Sequence, residues 1–220
     1  MTMSRDQTRR RIYRSRAVRR RRSALAVFVA AALAGIVVVA AQGGGRERVR
    51  VTYDRQAAAD YADAWALKSN PEYWSSPDND CANFVSQCLA AGGLRPTYDA
   101  GREWRSNGTE FPTVAWVNCG AQKQALSAIA VGHSRYIVRV TRTLPRGWAP
   151  GDIVYLGNVV DGRVEWQHVI ICAGRQGGAW VYDSHTTAYR RETLDRWYPA
   201  HFTEVRFCRV AGSVSYTAAE

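Results

Sequence analysis

The residues best suited to chemistry in this 220-residue chain are Cys81 and its neighbours in Asp80-Cys81-Ala82-Asn83-Phe84-Val85-Ser86-Gln87. Read at helical spacing, Phe84, Val85, Cys88 and Leu89 fall on one face with Cys81 at its middle. Asp80 is a suitable N-cap. It places Cys81 in the first turn, where unpaired backbone N–H groups and the helix dipole favour thiolate over thiol. The segment 70–79 contains Pro71 and Pro77 and delivers the chain abruptly into the helix. A thiolate nucleophile needs a partner that takes and returns protons near neutral pH, which histidine does. Of the four histidines, His168 stands out because it opens the apolar run Val169-Ile170-Ile171 and so belongs to a sheet edge, not a loop. Asp183 and His185 are two apart and share one face of a strand; either can hold the His168 ring in its productive tautomer. The pattern points to nucleophilic catalysis by a Cys81 thiolate. The Cys81 backbone N–H and a second, unassigned donor would receive the oxyanion.

Periodicity predicts the elements that carry these groups. Asp54 to Lys68 reads as a helix with Ala57, Ala58, Tyr61, Ala62 and Trp65 on its buried stripe. The Cys81 helix runs to Gly92-Gly93, and a third helix is expected from Pro112 to about Ala130. From Tyr136 the period shifts to strands: Tyr136–Val140, Ile153–Leu156, Glu165–Ala173, Ala179–His185 and Thr203–Val210. Helices first and strands later predict an α+β domain with helices packed on one face of an antiparallel sheet. Trp74 and Trp104 fall near the expected site and are candidates to stack on substrate.

Several blocks resemble a known family. Tyr53-Asp54-Arg55-Gln56-Ala57-Ala58 with Tyr61-Ala62 and Trp65-Ala66, the Asp80–Leu89 block and Ala91-Gly92-Gly93 are similar to the bacterial putative amidase domain family. Gly151-Asp152-Ile153, His168-Val169-Ile170-Ile171 and Ser184-His185-Thr186 follow in matching order. That family looks related to NlpC-type and CHAP cell-wall hydrolases, which implies a papain-like fold. The resemblance implies Cys81 as nucleophile, His168 as general base and acid, and His185 or Asp183 as the orienting group. It also implies that Asp80 helps bind substrate. Ala82 departs from the usual Thr or Ser beside the cysteine.

The net charge of +11 is concentrated in residues 1–22, where ten arginines against Asp6 give +9 and leave +2 for residues 23–220. Because this basic segment runs directly into the apolar stretch Ala24–Ala41, it reads as a cytoplasmic retention signal and not as a nucleic-acid-binding arm. Residues 23–41 are therefore expected to be a transmembrane anchor, or a signal peptide cleaved after Ala41. Residues 42–50 form a linker, and 51–220 an extracytoplasmic papain-like amidase domain. Five cysteines leave at least one unpaired thiol, and no ligand spacing suggests a metal or another cofactor. No GxSxG or phosphate-loop motif is present. The expected substrate is peptidoglycan or a peptide-like amide, with no expectation for oligomeric state. The competing expectation is an inactive membrane-tethered binding or scaffolding module of the same fold.

Overall fold

Strands rich in Val, Ile and Tyr fill the second half of the chain, and their pairing sets the position of everything else. The computed structural model describes residues 36–38, 48–129 and 132–217. Helices α1 (Arg55–Trp65), α2 (Cys81–Ala91), α3 (Val114–Val117) and α4 (Cys119–Ser127) precede most of the strands. The strands are β1 (Ile36–Val38), β2 (Arg48–Thr52), β3 (Ile137–Thr141), β4 (Ile153–Val160), β5 (Arg163–Gln176), β6 (Ala179–Ser184), β7 (Tyr189–Thr193), β8 (Glu204–Val210) and β9 (Ser213–Thr217). They form a six-stranded sheet in the order β3-β8-β4-β5-β6-β7 and a three-stranded sheet in the order β1-β2-β9, with every pairing antiparallel. The fold is α+β, and the expected β4-β5-β6 meander lies at the centre of the larger sheet.

One sheet face carries a core of Val154, Leu156, Ile170, Cys172, Tyr182, Val205 and Phe207, closed over by Trp148 and Trp197. Beside β5 and β6 stand α1 and α2, the latter with Phe84, Val85, Cys88 and Leu89 fully buried. Gly92 ends α2 at a point with no room for a side chain, since a Cβ there would lie 2.3 Å from the Tyr53 ring. The start of β4 is tied to α1 by Asp152, a buried carboxylate that accepts from Arg55 at 2.6 Å and from the Val210 N–H at 2.9 Å.

Three expectations change. The single helix expected over 112–130 is two helices, because Asn118 is extended (φ −115°, ψ 125°) and caps α4 by accepting from the Ala121 N–H at 3.0 Å. His168 does not open its strand: β5 begins five residues earlier at Arg163, and His168 is where burial begins along it. Ile36–Val38, three β-branched residues inside the expected anchor, pair as a strand with Val49–Val51. The rest of the basic segment and anchor lies outside the described residues. Among the described residues no helix is long and apolar enough to cross a membrane.

Candidate active site

The first turn of α2 presents Cys81, 1% exposed, at the end of the helix nearest β5 and β6. Its N–H groups are not capped as expected. The Asp80 carboxylate makes no cap bond; instead Thr186 Oγ1 accepts from both the Asp80 N–H at 2.6 Å and the Cys81 N–H at 3.0 Å. A hydroxyl from a loop over 100 residues away thus does the work of an N-cap side chain. Thr186 and Thr187 both adopt positive φ, 65° and 83°. That conformation is strained for a β-branched residue and is characteristic of functional sites. The Cys81 N–H expected to receive an oxyanion is therefore already engaged.

The Cys81 thiol is held well below the usual thiol range. The largest cause is a hydrogen bond from Cys119, whose sulfur lies 3.5 Å away; burial opposes it, and the His168 ring and the Val169 N–H add further stabilisation of the thiolate. Cys119 responds in the opposite direction, pushed up by its bond to Cys81 and by burial. The other thiols follow burial: Cys88 is raised, and Cys172 and Cys208 are each pushed up to about 12. All five cysteines are free.

His168 is aimed by an irregularity in the sheet. Between Leu156 and Gly157 the β4–β5 register skips, so Leu156 faces His168 while Gly157 faces Trp166. Only glycine fits there, because a Cβ on Gly157 would lie 2.2 Å from the Glu165 carbonyl oxygen. Bulges of this kind redirect a side chain beside a site. The His168 ring packs between Phe202 (5.9 Å, stacked) and Trp197 (6.3 Å), and its Nε2 lies 3.3 Å from Ser184 Oγ.

Ser184, not Asp183 or His185, therefore meets the second nitrogen of His168. Asp183 is on β6 but His185 lies in the turn just past it, so the strand face they were expected to share does not extend to His185, and neither residue meets His168. Asp183 Oδ1 accepts from the Arg191 N–H at 2.6 Å, Oδ2 is buried without a hydrogen bond, and burial pushes the carboxyl up to about 6. His185 Nδ1 donates to Asp80 Oδ2 at 2.7 Å and Nε2 donates to the Trp65 carbonyl at 2.8 Å, with the ring stacked on Phe84 at 4.1 Å.

Asp80 is equally committed. Besides His185 it accepts from the Ser76 N–H at 3.0 Å and Asn83 Nδ2 at 2.7 Å, and it is 3% exposed. Its carboxylate holds the turn before Cys81 and is not placed to bind substrate. Trp104 is fully buried, with its Nε1 donating to Ser86 Oγ at 2.8 Å, so it too belongs to the core. Trp74 packs edge-on against Phe111 at 5.0 Å, and its carbonyl accepts from Asn83.

The putative amidase domain family profile matches residues 52–206, which contain Cys81, Cys119, His168, Ser184 and the residues around them. The chain belongs to this family. Membership marks it as an amidase-like hydrolase. The uncharacterized protein YhbB of Bacillus subtilis (strain 168) is 30% identical over 156 residues, 67% of this chain and 48% of that protein. The uncharacterized protein YjcM of the same organism is 45% identical over 69 residues, 31% of this chain and 15% of that protein. The chain thus spans about half or less of these curated relatives. No solved structure matches it.

In this amidase domain a cleft of about 360 Å³ opens beside His168 and Thr186, walled by Tyr189, Trp197, His201 and Phe202. Arg196 stands at its side, 4.5 Å over the Tyr189 ring and donating to the Tyr189 hydroxyl at 2.8 Å. None of the lining residues is acidic. Sequence reasoning missed Ser184, Cys119 and this aromatic wall; the cluster Trp197-Tyr198 with Phe202 was the available signal for the last. Among the described residues no three His, Cys, Asp or Glu side chains converge as metal ligands.

Proposed function

We propose that this amidase domain is a cysteine-dependent C–N hydrolase of papain-like architecture, akin to the NlpC-type and CHAP wall hydrolases. The observation that carries the reading is the contact of a low-pKa Cys81 at a helix N-terminus with His168, whose other nitrogen is turned towards Ser184. The single Ser184 hydroxyl proton can go to the His185 carbonyl at 3.2 Å, which leaves the oxygen to accept from His168 Nε2–H. Nδ1 is then the nitrogen that exchanges protons with the sulfur. The thiolate attacks the amide carbon, His168 protonates the departing amine, and a water activated by His168 hydrolyses the thioester.

Two N–H groups converging on Thr186 Oγ1 have the geometry an oxyanion needs. In this reading the substrate carbonyl oxygen displaces the Thr186 hydroxyl from the Asp80 and Cys81 N–H groups, and the strained Thr186-Thr187 loop is the part that yields. Arg196 beside an aromatic cleft without acidic lining suits a peptide carrying carboxylates. Together with the basic and apolar N-terminal segments, this favours peptidoglycan stem peptides met outside the cytoplasm.

The test is incubation of the full chain with purified peptidoglycan and assay of newly released amino groups, with Cys81→Ala as control. Release that depends on Cys81 supports the reading. Equal release by both proteins, or none from wall or from synthetic stem peptides, contradicts it.

A further inference from the structure

We propose that Cys81 and Cys119 form a reversible oxidation site, in which a hydroperoxide oxidises Cys81 and Cys119 closes it into a disulfide that takes the nucleophile out of action. The inference rests on Cys81 being the reactive thiol, and it adds a partner that nothing in the proposed hydrolysis requires. The two sulfurs are 3.5 Å apart, although 38 residues separate them in sequence. A disulfide needs about 2.05 Å, so the sulfurs must close by about 1.5 Å.

The proximity is built, not incidental. Each cysteine is the first residue of its helix, of 11 residues for α2 and nine for α4. Just past them, Gln122 of α4 is fully buried and donates to the Ala82 carbonyl at 2.8 Å and to Ser86 Oγ at 2.6 Å. Tyr155 of β4 donates in turn to Gln122 Oε1 at 2.9 Å. These bonds clamp the starts of the two helices together and hold the sulfurs in register. The break at Asn118 is what brings Cys119 to a helix start at all.

The chemistry balances in two steps. The Cys81 thiolate attacks the O–O bond of hydrogen peroxide, giving the sulfenic acid and hydroxide. The Cys119 sulfur then displaces the sulfenic hydroxyl, which leaves as water with the Cys119 proton, and the S–S bond forms. A thiol reductant reverses the process. Cys88, Cys172 and Cys208 are buried thiols with raised pKa values, so the first oxidation falls on Cys81, and Cys119 is the sulfur placed beside it to complete the disulfide. Without a second sulfur in reach, the sulfenic acid would proceed to the irreversible sulfinic acid.

The experiment uses the full chain, reduced, then treated with excess hydrogen peroxide and mapped by non-reducing peptide mass spectrometry. The expected result is a Cys81–Cys119 cross-link lighter by two hydrogens, loss of iodoacetamide labelling at Cys81, and its return after dithiothreitol. Cys119→Ser should give no cross-link, and its Cys81 should end as sulfinic acid that dithiothreitol does not restore. Wild-type Cys81 ending as sulfinic acid without a cross-link overturns the inference. So does recovery of Cys119→Ser as complete as that of wild type. If reduced Cys81 labels but does not cross-link, only the pairing fails; if it does not label when reduced, the nucleophile reading fails with it.

Discussion

His168 on β5 and His185 in the turn just past β6 are both buried, yet their surroundings differ in how firmly each ring is held. His185 donates from both nitrogens to fixed oxygens, Asp80 Oδ2 and the Trp65 carbonyl, and lies flat on Phe84. His168 has one nitrogen against a serine hydroxyl at 3.3 Å, a sulfur on its other side, and a cleft beside it. In the proposed mechanism the ring gains and loses a proton in each cycle and needs one nitrogen whose partner changes, and of these two histidines it is His168 that has one.

The contrast is open to attack from both sides. The largest expected effect is on His168→Ala, which should lower amine release by about three orders of magnitude while leaving urea stability close to wild type. A variant that unfolds instead would make His168 another structural residue. His185→Ala should do the reverse. It strands the Asp80 carboxylate in a buried position and is expected to cost about 3 kcal/mol in urea denaturation. Stability within about 0.5 kcal/mol of wild type would dissolve the distinction.

A smaller, pH-dependent effect is expected at Asp183, the residue between the two systems that joins neither. Burial raises its folded pKa to about 6, against about 3.9 for an unfolded chain. Its stabilisation is therefore complete below about pH 4 and lost as the pH rises through 6. Asp183→Asn imitates the neutral form. It should raise stability at pH 8 by up to about 3 kcal/mol and by almost nothing at pH 4. An equal gain at both pH values in urea titrations would show that ionisation is not the cause.

The scaffold could be read from the sequence where burial follows a simple period. Helices α1 and α2 and the strands β4, β5 and β6 all form at the stretches that spacing gave them, although Ala59 and not Ala57 or Trp65 is buried on α1 and α2 is buried all round from Cys81 to Leu89. Failures came where one local feature overrides the period. Apolar residues recur at helical spacing straight through Asn118, but that side chain makes a better cap than a helix interior, so the helix breaks and Cys119 becomes a first residue. The third member of the site failed for a related reason. Alternation put Asp183 and His185 on one strand face, but β6 ends at Ser184 and His185 lies in the turn beyond it; which face His168 uses depends on the skipped register at Gly157, and a bulge leaves no period to count. Asp80 was read as a cap and a substrate contact because the sequence does not show that Thr186, brought in from a distant loop, takes the capping role.

The central claim, that Cys81 is a thiolate nucleophile activated where it stands, is tested most directly by its alkylation rate as a function of pH. Iodoacetamide labelling of Cys81 in the reduced full chain, followed by peptide mass spectrometry, is expected to stay nearly constant through neutral pH. It should fall only well below the ordinary thiol range, because Cys119, His168 and the Val169 N–H hold the proton off the sulfur. A rate that instead rises with a midpoint near 8.5 or above, as an ordinary thiol does, would contradict the claim.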